Sequence, residues 1–298
     1  MNYEDVETAR KAYLEKSRKC LLVVTVVAVV LGLITSVTSR AAVLYGVVFA
    51  LTIFAFGAGI TIFVTRKEAT AYKKAYKAYF VERNLHKIFT DVVYDHQKGL
   101  PSSLLSATGM VNTGDVYSSN DLTLAKYKSI GFTQADAHIQ TISTDSDGNT
   151  TYITIFKGRF MIFEFPKKFD FKLELIGKKF RAYRVPGKDK VTGRKMSKVK
   201  TESEEFNRTF KIYGQDGFET FYLLDPAMIA RIQDISKYYK NKILIGFYDN
   251  KMLVALDDGK DSFEPPRASK PINESEEMKK VASSVKVITD FVDVISSH

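Results

Sequence analysis

The chain contains 298 residues, 45% of them hydrophobic, and its 44 Lys and Arg outnumber its 34 Asp and Glu, which gives a net charge of +10. This length accommodates one soluble core together with a membrane segment, and the positive charge favours an acidic partner such as anionic lipid or nucleic acid. The single cysteine, Cys20, excludes an intramolecular disulfide and a cysteine-based metal cluster.

Two long uncharged segments lie near the N-terminus. The first runs for 20 residues from Cys20 to Ser39, the second for 25 residues from Ala41 to Thr65, and only Arg40 separates them. Because a helix rises 1.5 Å per residue, about 20 apolar residues span the roughly 30 Å hydrocarbon core of a bilayer. A cleaved signal peptide would lack the second apolar segment. The sequence therefore predicts a two-helix transmembrane hairpin over residues 20–65, with the lipid bilayer as its first partner.

The charges that flank the hairpin predict its orientation. Five basic residues precede the first span and five follow the second, whereas Arg40 alone lies between them. The flanking bases are Arg10, Lys11, Lys16, Arg18, Lys19, Arg66, Lys67, Lys73, Lys74 and Lys77. Lys and Arg near the ends of membrane helices are retained in the cytoplasm. We therefore expect a two-pass protein of the cell membrane with both termini in the cytoplasm.

Small residues recur at matching depths in the two spans. Ala28 and Gly32 precede the turn by about the same distance as Gly46 and Ala50 follow it. Such small-xxx-small pairs let two helix backbones approach closely. The alternative is that small residues are simply common in membrane helices.

A helical pattern continues from Arg66 to about Tyr94, and Gly99-Leu100-Pro101 ends it. Its apolar stripe contains Tyr72, Tyr76, Tyr79 and Phe80. This stripe predicts packing in a stalk or core, with lipid headgroup contact as the alternative. The predicted division is a cytoplasmic N-terminal helix over 1–19, the hairpin over 20–65, a stalk helix over 66–98 and a cytoplasmic domain over 99–298.

Beyond Ser102 the pattern is mostly that of strands. The Asp147-Gly148 pair predicts a hairpin turn that leads into an alternating apolar strand. The predicted strands are Tyr152–Phe165, Phe171–Ile176, Phe180–Val185, Thr209–Tyr213, Ile243–Tyr248 and Met252–Leu256. Helices are predicted after Asp225-Pro226 and from about Ser275 to Ile295. The predicted fold class is α+β, a mainly antiparallel β-sheet with flanking helices.

The phenylalanines of the predicted strand Tyr152–Phe165 do not all lie on the same face of a regular strand. Phe160 and Phe163 stand an odd number of residues apart, so they face opposite sides of a regular strand. Since a glycine inside a strand often marks a bulge, we expect an interruption near Gly158.

The strongest local signal is a basic segment from Lys178 to Lys200, which contains ten basic residues and one acid, Asp189. The bases are Lys178, Lys179, Arg181, Arg184, Lys188, Lys190, Arg194, Lys195, Lys198 and Lys200. Pro186, Gly187 and Gly193 indicate an exposed loop. Near an anionic leaflet each such base contributes about 1 kcal/mol, so we predict contact with anionic lipid headgroups.

Two alternatives stand beside that prediction. The basic segment is a solvated loop if Glu202, Glu204 and Glu205 balance its charge. Nucleic acid is disfavoured as a partner, because neither a stacking pattern of aromatic residues nor a recognition helix accompanies the charge.

No pattern in the chain predicts chemistry. Gly187–Lys195 differs from a phosphate-binding loop in its glycine spacing and in its ending, and Asp145–Asn149 lacks the distal acid of a calcium loop. The four histidines, His86, His96, His138 and His298, are dispersed. We predict no catalytic residues, no metal ligands and no cofactor.

Several segments together resemble an uncharacterised family of bacterial membrane proteins with two N-terminal transmembrane helices and a C-terminal domain of unknown function. They are Gly114–Asp136, Phe156–Phe169, Phe206–Ile229, Phe247–Leu256 and Phe263–Pro265. The resemblance implies a membrane-anchored domain and no established activity, so it assigns no catalytic residue. The basic segment lies outside the resembling pattern.

Two functions remain open at this point. The first is a membrane-anchored binding or scaffold module for a protein partner or for anionic lipid headgroups. The second is an enzyme that acts on a membrane-proximal substrate. Buried Asp, Glu or His side chains that converge in a deep pocket would favour the enzyme, and an exposed groove or basic patch would favour the module.

Overall fold

The computed structural model describes residues 1–37, 42–166, 168–169, 171–187, 194–215 and 223–295. The chain forms two compact units, which we name the helical unit, residues 1–83 with 264–279, and the sheet unit, residues 84–263 with the chain from 280 onward. The predicted turn residues Ser39 and Arg40 lie outside the described residues.

The helical unit begins with two long apolar helices. Its elements are α1 (Tyr3–Ser36), α2 (Ala42–Val64), α3 (Arg66–Tyr76), a π-helix (Lys77–Glu82) and the first residue of α4 (Arg83–Ile88). Asn2 caps α1 by accepting a hydrogen bond from the Asp5 N–H at 2.9 Å, and the Asp5 carboxylate accepts one from the Asn2 N–H at 2.7 Å. Among the described residues, α1 and α2 are long and apolar enough to cross a membrane.

The small residues of α1 and α2 lie where the two helices approach each other. A Cβ atom added to Gly46 would lie 2.6 Å from the carbonyl oxygen of Gly32, and one added to Gly32 would lie 2.8 Å from the Cβ of Ala50. Only glycine leaves room for backbones at this separation. The predicted close approach is confirmed.

The tyrosine stripe is buried inside the helical unit. The hydroxyl of Tyr72 donates to the carbonyl oxygen of Pro266 at 3.0 Å, and that of Tyr76 donates to Oε2 of Glu277 at 2.6 Å. Burial, followed by its contact with Glu277, raises the pKa of Tyr76 above its ordinary value. Tyr72 and Tyr76 are 3% and 0% exposed, so the packing interpretation of the stripe is confirmed.

The helix after the second span ends earlier than its pattern predicts. Helical structure stops at Ile88, and Thr90–Asp95 forms strand β1, which pairs antiparallel with the next strand. The prediction of helix as far as Tyr94 is therefore wrong. The β-branched Val92 and Val93 favour extended structure, and pairing with a neighbouring strand supplies the hydrogen bonds that the helix would have made.

The sheet unit contains, within its described residues, a nine-stranded antiparallel sheet. Its remaining strands are β2 (Val116–Tyr127), β3 (Ile130–Thr144), β4 (Thr150–Glu164), β5 (Leu173–Gly177), β6 (Ser197–Val199), β7 (Phe210–Gly214), β8 (Ile243–Tyr248) and β9 (Lys251–Leu256). The order across the sheet is β1-β2-β3-β4-β9-β8-β5-β7-β6. Helices α5 (Ser102–Ala107), α6 (Glu204–Thr209), α7 (Pro226–Tyr238) and α8 (Glu274–Ile295) accompany it, the last of which begins in the helical unit. The predicted α+β class is confirmed.

Most of the local predictions for this unit hold. The turn at Asp147-Gly148 joins β3 to β4, and five of the six predicted strands form as β4, β5, β7, β8 and β9. The helix after Asp225 begins as predicted, with the Asp225 carboxylate accepting a hydrogen bond from the Met228 N–H at 2.8 Å.

The strand predicted at Phe180–Val185 is wrong. Within this segment Tyr183 forms an isolated bridge with Val111, and the Arg184 N–H donates to the carbonyl oxygen of Met110 at 2.8 Å. Phe180 and Ala182, two of the apolar residues that produced the strand pattern, are instead buried in a core cluster together with residues of the sheet. Alternating apolar residues follow from burial on one side, and they do not require a sheet partner.

Strand β4 is covered on both faces, which explains its phenylalanines. Phe156 and Phe160 stack at 4.4 Å between ring centroids in one core cluster, whereas Phe163 lies 6.3 Å from Phe291 of α8. The register with β3 is unbroken from Phe156 to Glu164, and its shift lies between Thr154 and Phe156. The predicted interruption near Gly158 is therefore wrong.

The presence of a glycine at position 158 in β4 has another explanation. A Cβ atom on Gly158 would lie 2.0 Å from the carbonyl oxygen of Leu256, so glycine is needed for a close backbone approach. The phase change of the phenylalanines needs no bulge, because each face of the strand has its own core.

Candidate functional site

A cavity of about 900 Å³ opens on the sheet unit, and we name it the groove. Its walls come from α5, from strands β3, β4, β5, β8 and β9, and from the chain segments that flank β5. Cavities of this size are typical of sites for small organic ligands. The groove is therefore the first candidate for a ligand-binding site.

Apolar side chains form much of the groove. Ile162 of β4, Leu104 of α5 and Met196 line it together with Phe169 and Phe171. The rings of Phe169 and Phe171 lie 6.0 Å apart at 63°, an edge-to-face contact that fixes their orientation. Such a wall removes apolar parts of a ligand from water.

A buried ion pair lies at the same cavity. The ammonium group of Lys172 lies 3.4 Å from Oε1 of Glu174 and donates a hydrogen bond to the carbonyl oxygen of Thr108 at 2.8 Å. The Lys172 and Glu174 side chains are 12% and 2% exposed. Because a buried charge needs a partner, each side chain holds the other in place.

The other acids of the groove also have basic partners, and one base remains. Lys251 lies 3.1 Å from Glu164, and Lys168 lies 3.6 Å from Asp249. The remaining basic residue of the lining, Arg184, has no ion pair within the part of the chain that the structure describes. The groove thus combines an apolar wall with one guanidinium group that is open to an anionic group.

Tyr248 adds a neutral polar group to the wall. Burial, followed by the nearby carboxylates of Glu164 and Asp249, raises the pKa of Tyr248 to about 12. Its phenol therefore stays protonated at neutral pH, where it can both donate and accept a hydrogen bond.

The structure describes eight of the ten predicted lipid-binding residues. Lys188 and Lys190 lie outside the described residues, and Arg194 with the other seven is exposed. Those seven are Lys178, Lys179, Arg181, Arg184, Lys195, Lys198 and Lys200. Their role in lipid binding stays a prediction.

The eight described bases are distributed over several segments of the chain and do not belong to a single helix or strand. Lys178 and Lys179 follow β5, Lys198 lies in the edge strand β6, and Arg181 donates to the carbonyl oxygen of Thr154 at 2.9 Å. Of the eight described bases, Arg184 is the one that lines the groove. It therefore links the basic segment to the cavity.

Sequence reasoning missed the ion pair of the groove. Lys172 and Glu174 precede and enter β5, and they stand two residues apart, so both point to the same side of an extended chain. The one available signal is that Glu174 interrupts the apolar run from Phe171 to Ile176. An acid in such a run is expected to have a partner, but the sequence does not identify the cavity beside it.

The comparisons with known proteins bear on the second half of the chain. Residues 154–296 match a family model described as "Protein of unknown function (DUF3137)". The match runs from β4 to the end of α8 and confirms the resemblance to an uncharacterised family. The chain matches none of the curated proteins.

One solved structure is similar in part. It is the crystal structure of the mycobacterial trehalose monomycolate transport factor A, TtfA, with 11% sequence identity and a TM-score of 0.39. The similarity covers 74% of this chain and 93% of that chain. At this TM-score it carries no argument about the present protein.

Proposed function

We propose that the chain is a two-pass membrane protein whose sheet unit binds anionic lipid, with the basic segment contacting the headgroup and the groove receiving an apolar part of the same molecule. The observation that carries this proposal is the position of Arg184. It belongs to the basic segment, lines the groove and has no ion pair among the described residues.

The proposed membrane anchor raises the concentration of lipid that the sheet unit meets. In this proposal two helices, which have the required length and composition, hold the rest of the chain close to a bilayer surface. A tethered domain meets that surface at a high effective concentration, so weak contacts suffice for occupancy. Flanking charge favours the cytoplasmic leaflet, which carries the anionic lipids.

Exposure of the basic residues supports headgroup contact. Each of the eight described bases is exposed, so an approaching phosphate or carboxylate group can reach it without unfolding of the domain. A buried or fully paired set of bases would have argued for a structural role. Attraction is limited to bases within a Debye length, which is about 8 Å at physiological salt.

The test uses the full-length protein in a neutral detergent, titrated with a fluorescent anionic lysolipid and with its zwitterionic counterpart. Binding is read as fluorescence anisotropy at two salt concentrations. We expect saturable binding of the anionic lysolipid that weakens with salt.

Two matched variants separate the basic segment from charge in general. The segment variant replaces Lys178, Lys179, Lys195 and Lys198 by Gln, and the control variant replaces four exposed lysines elsewhere in the sheet unit, which are Lys126, Lys128, Lys237 and Lys286. We expect the segment variant to lose up to about 4 kcal/mol of binding free energy, at about 1 kcal/mol for each base. Equal losses in both variants would contradict the proposal and leave the basic segment a solvated loop.

The groove is tested by Ile162→Gln, which places a polar group on its apolar wall. We expect weaker lysolipid binding with an unchanged salt dependence, because the headgroup contacts remain. Unchanged affinity would restrict the proposal to headgroup contact at the surface. Capture of a protein partner by the wild type, with no lysolipid binding, would favour a protein-binding module.

The proposed orientation has its own test. Protease added to intact cells should leave the sheet unit uncut, and protease added to inverted vesicles should cut it, because flanking charge places both termini in the cytoplasm. Cleavage from the outside would overturn the orientation and remove the cytoplasmic leaflet as the source of lipid.

A further inference from the structure

A second cavity, of about 460 Å³, lies in the sheet unit and shares no lining residue with the groove. It is bounded by β4, by the turn after α7, by the segment after β9 and by the part of α8 that belongs to the sheet unit. Basic residues outnumber acidic ones in its lining by five to three. The bases are Arg159, Lys240, Lys242, Lys260 and Lys280, and the acids are Asp257, Asp258 and Asp261. The surplus of positive charge favours an anionic occupant.

Arg159 is the buried member of this set, with 5% of its surface exposed. Its Nη1 donates a hydrogen bond to the carbonyl oxygen of Ser284 at 2.6 Å, and its guanidinium carbon lies 5.2 Å from the ring centroid of Phe263. Its Nε has no hydrogen-bond partner within the described part of the chain. The Nε group lies near the carboxylate of Asp136, so the guanidinium can contact an oxyanion through the edge that neither Asp136 nor Ser284 occupies.

One buried acid, Asp136, lies beside Arg159. Oδ1 of Asp136 lies 3.6 Å from Nε of Arg159, and Oδ2 accepts a hydrogen bond from the Ser262 N–H at 2.7 Å. Burial raises the pKa of Asp136 well above its ordinary value, with the carboxylates of Asp261 and Asp121 adding to the rise and Arg159 opposing it. Even with Asp136 counted as an anion, the bases around the cavity outnumber the acids by five to four.

The exposed lysines complete the arrangement. Lys240, Lys260 and Lys280 are exposed, and they come from three different segments of the chain. Bases that converge from separate segments around one buried guanidinium can contact several oxygens of the same group. A phosphoryl group carries up to two charges and three terminal oxygens, which suits this number of donors better than a single carboxylate does.

From this geometry we propose that the cavity around Arg159 binds the phosphoryl group of a small polar molecule or of a lipid headgroup. Arg159 holds the phosphoryl oxygens from within, and the lysines contact them from the open side. The volume of the cavity exceeds that of a phosphoryl group alone, so a phosphomonoester or diphosphate fits it. The site shares no residue with the groove or the basic segment, and its failure would leave the lipid-binding proposal standing.

The test is isothermal titration calorimetry of the full-length protein in neutral detergent with inorganic pyrophosphate. The cavity variant replaces Lys240, Lys260 and Lys280 by Gln, and a control variant replaces Lys126, Lys128 and Lys286 by Gln. All six lysines are exposed, so both variants should fold, which circular dichroism verifies. We expect saturable binding to the wild type, a loss of about tenfold or more in the cavity variant and little change in the control.

Two results would overturn the proposal: no saturable heat with the wild type at millimolar pyrophosphate, or equal weakening in the cavity variant and the control. Competition then distinguishes the two sources of the phosphoryl group. Displacement of pyrophosphate by mixed micelles that contain phosphatidic acid identifies the headgroup as the ligand. Displacement by glycerol phosphate, without an effect of those micelles, identifies a soluble phosphomonoester.

Discussion

The ammonium group of Lys172 lies 3.4 Å from Oε1 of Glu174 at the groove, and both side chains are almost fully withdrawn from water. Lys172→Met removes the charge that compensates a carboxylate that is 2% exposed. We expect the free energy of unfolding to fall by about 3 kcal/mol, because the variant loses this ion pair while the carboxylate of Glu174 stays buried. Denaturant titration in detergent measures the loss.

The double variant Lys172→Met with Glu174→Leu is the matched control for that prediction. Replacing both members of a buried ion pair by apolar residues of similar volume is often neutral. Stability close to that of the wild type is therefore expected. A double variant that is as unstable as the single one would show that Glu174 matters for some reason other than its charge.

Gly46 and Gly59 lie in the same apolar helix, α2, and differ in what surrounds them. A Cβ atom on Gly46 would lie 2.6 Å from the Gly32 carbonyl oxygen, whereas one on Gly59 would meet nothing within 4 Å. We expect Gly46→Ala to destabilise the hairpin by about 1–3 kcal/mol through overpacking and Gly59→Ala to have little effect. Thermal unfolding in detergent, followed by circular dichroism, compares the two. Similar melting temperatures would argue against close packing of α1 on α2.

Gly158 and Gly131 offer a similar comparison inside the sheet. A Cβ atom on Gly158 would meet the Leu256 carbonyl oxygen at 2.0 Å, whereas one on Gly131 would enter open space. Gly158→Ala should cost about 2 kcal/mol or more, because β4 and the end of β9 must separate to make room. Gly131→Ala should be neutral or slightly stabilising, since it reduces the entropy of the unfolded chain. The same denaturant titration decides between these outcomes.

The buried carboxyl of Asp136 predicts a pH dependence of stability. Its pKa is raised in the folded protein, so the folded state holds a proton that the unfolded state has released. That contribution is fully present below the ordinary carboxyl pKa and is lost as the pH rises towards the folded value. Asp136→Asn removes this effect, so we expect the variant to gain stability relative to the wild type as the pH rises above the ordinary carboxyl pKa, measured by denaturant titration at several pH values.

Asp145, in the turn between β3 and β4, is the opposite case. Hydrogen bonds, first from Asn149, lower the pKa of Asp145, so its contribution is lost as the pH falls. Asp145→Asn should therefore lose stability relative to the wild type at neutral pH, and the difference should shrink as the pH falls below the ordinary carboxyl pKa. The same pH trend in both variants would show that the shift of Asp136 does not control stability.

Local patterns predicted much of the fold. The length of the uncharged segments indicated α1 and α2, the Asp147-Gly148 pair indicated the turn before β4, and Asp225 indicated the start of α7. Each of these depends on a few adjacent residues and on a periodicity that the chain itself carries. The errors at Thr90–Asp95 and Phe180–Val185 concern segments whose structure depends on which neighbour they pair with.

The sequence also indicated that the charges of the basic segment face solvent. It contained no signal for either cavity. Arg184 lines the groove because its backbone pairs with Met110, far away in the chain. Arg159 lies inside β4, where the alternation of side chains along the strand indicates only which side of the sheet Arg159 faces. Neither residue has a local pattern that marks it as part of a site.

By itself, the sequence determined the two apolar helices, the α+β class and the position of the positive charge, because length, periodicity and composition act over short distances along the chain. Only the tertiary structure decided that Gly158 faces a carbonyl oxygen, that Lys172 pairs with Glu174, and that Arg159 shares a cavity with lysines of other segments. The physical reason is that burial and charge pairing depend on which distant residues the sheet and its helices bring together.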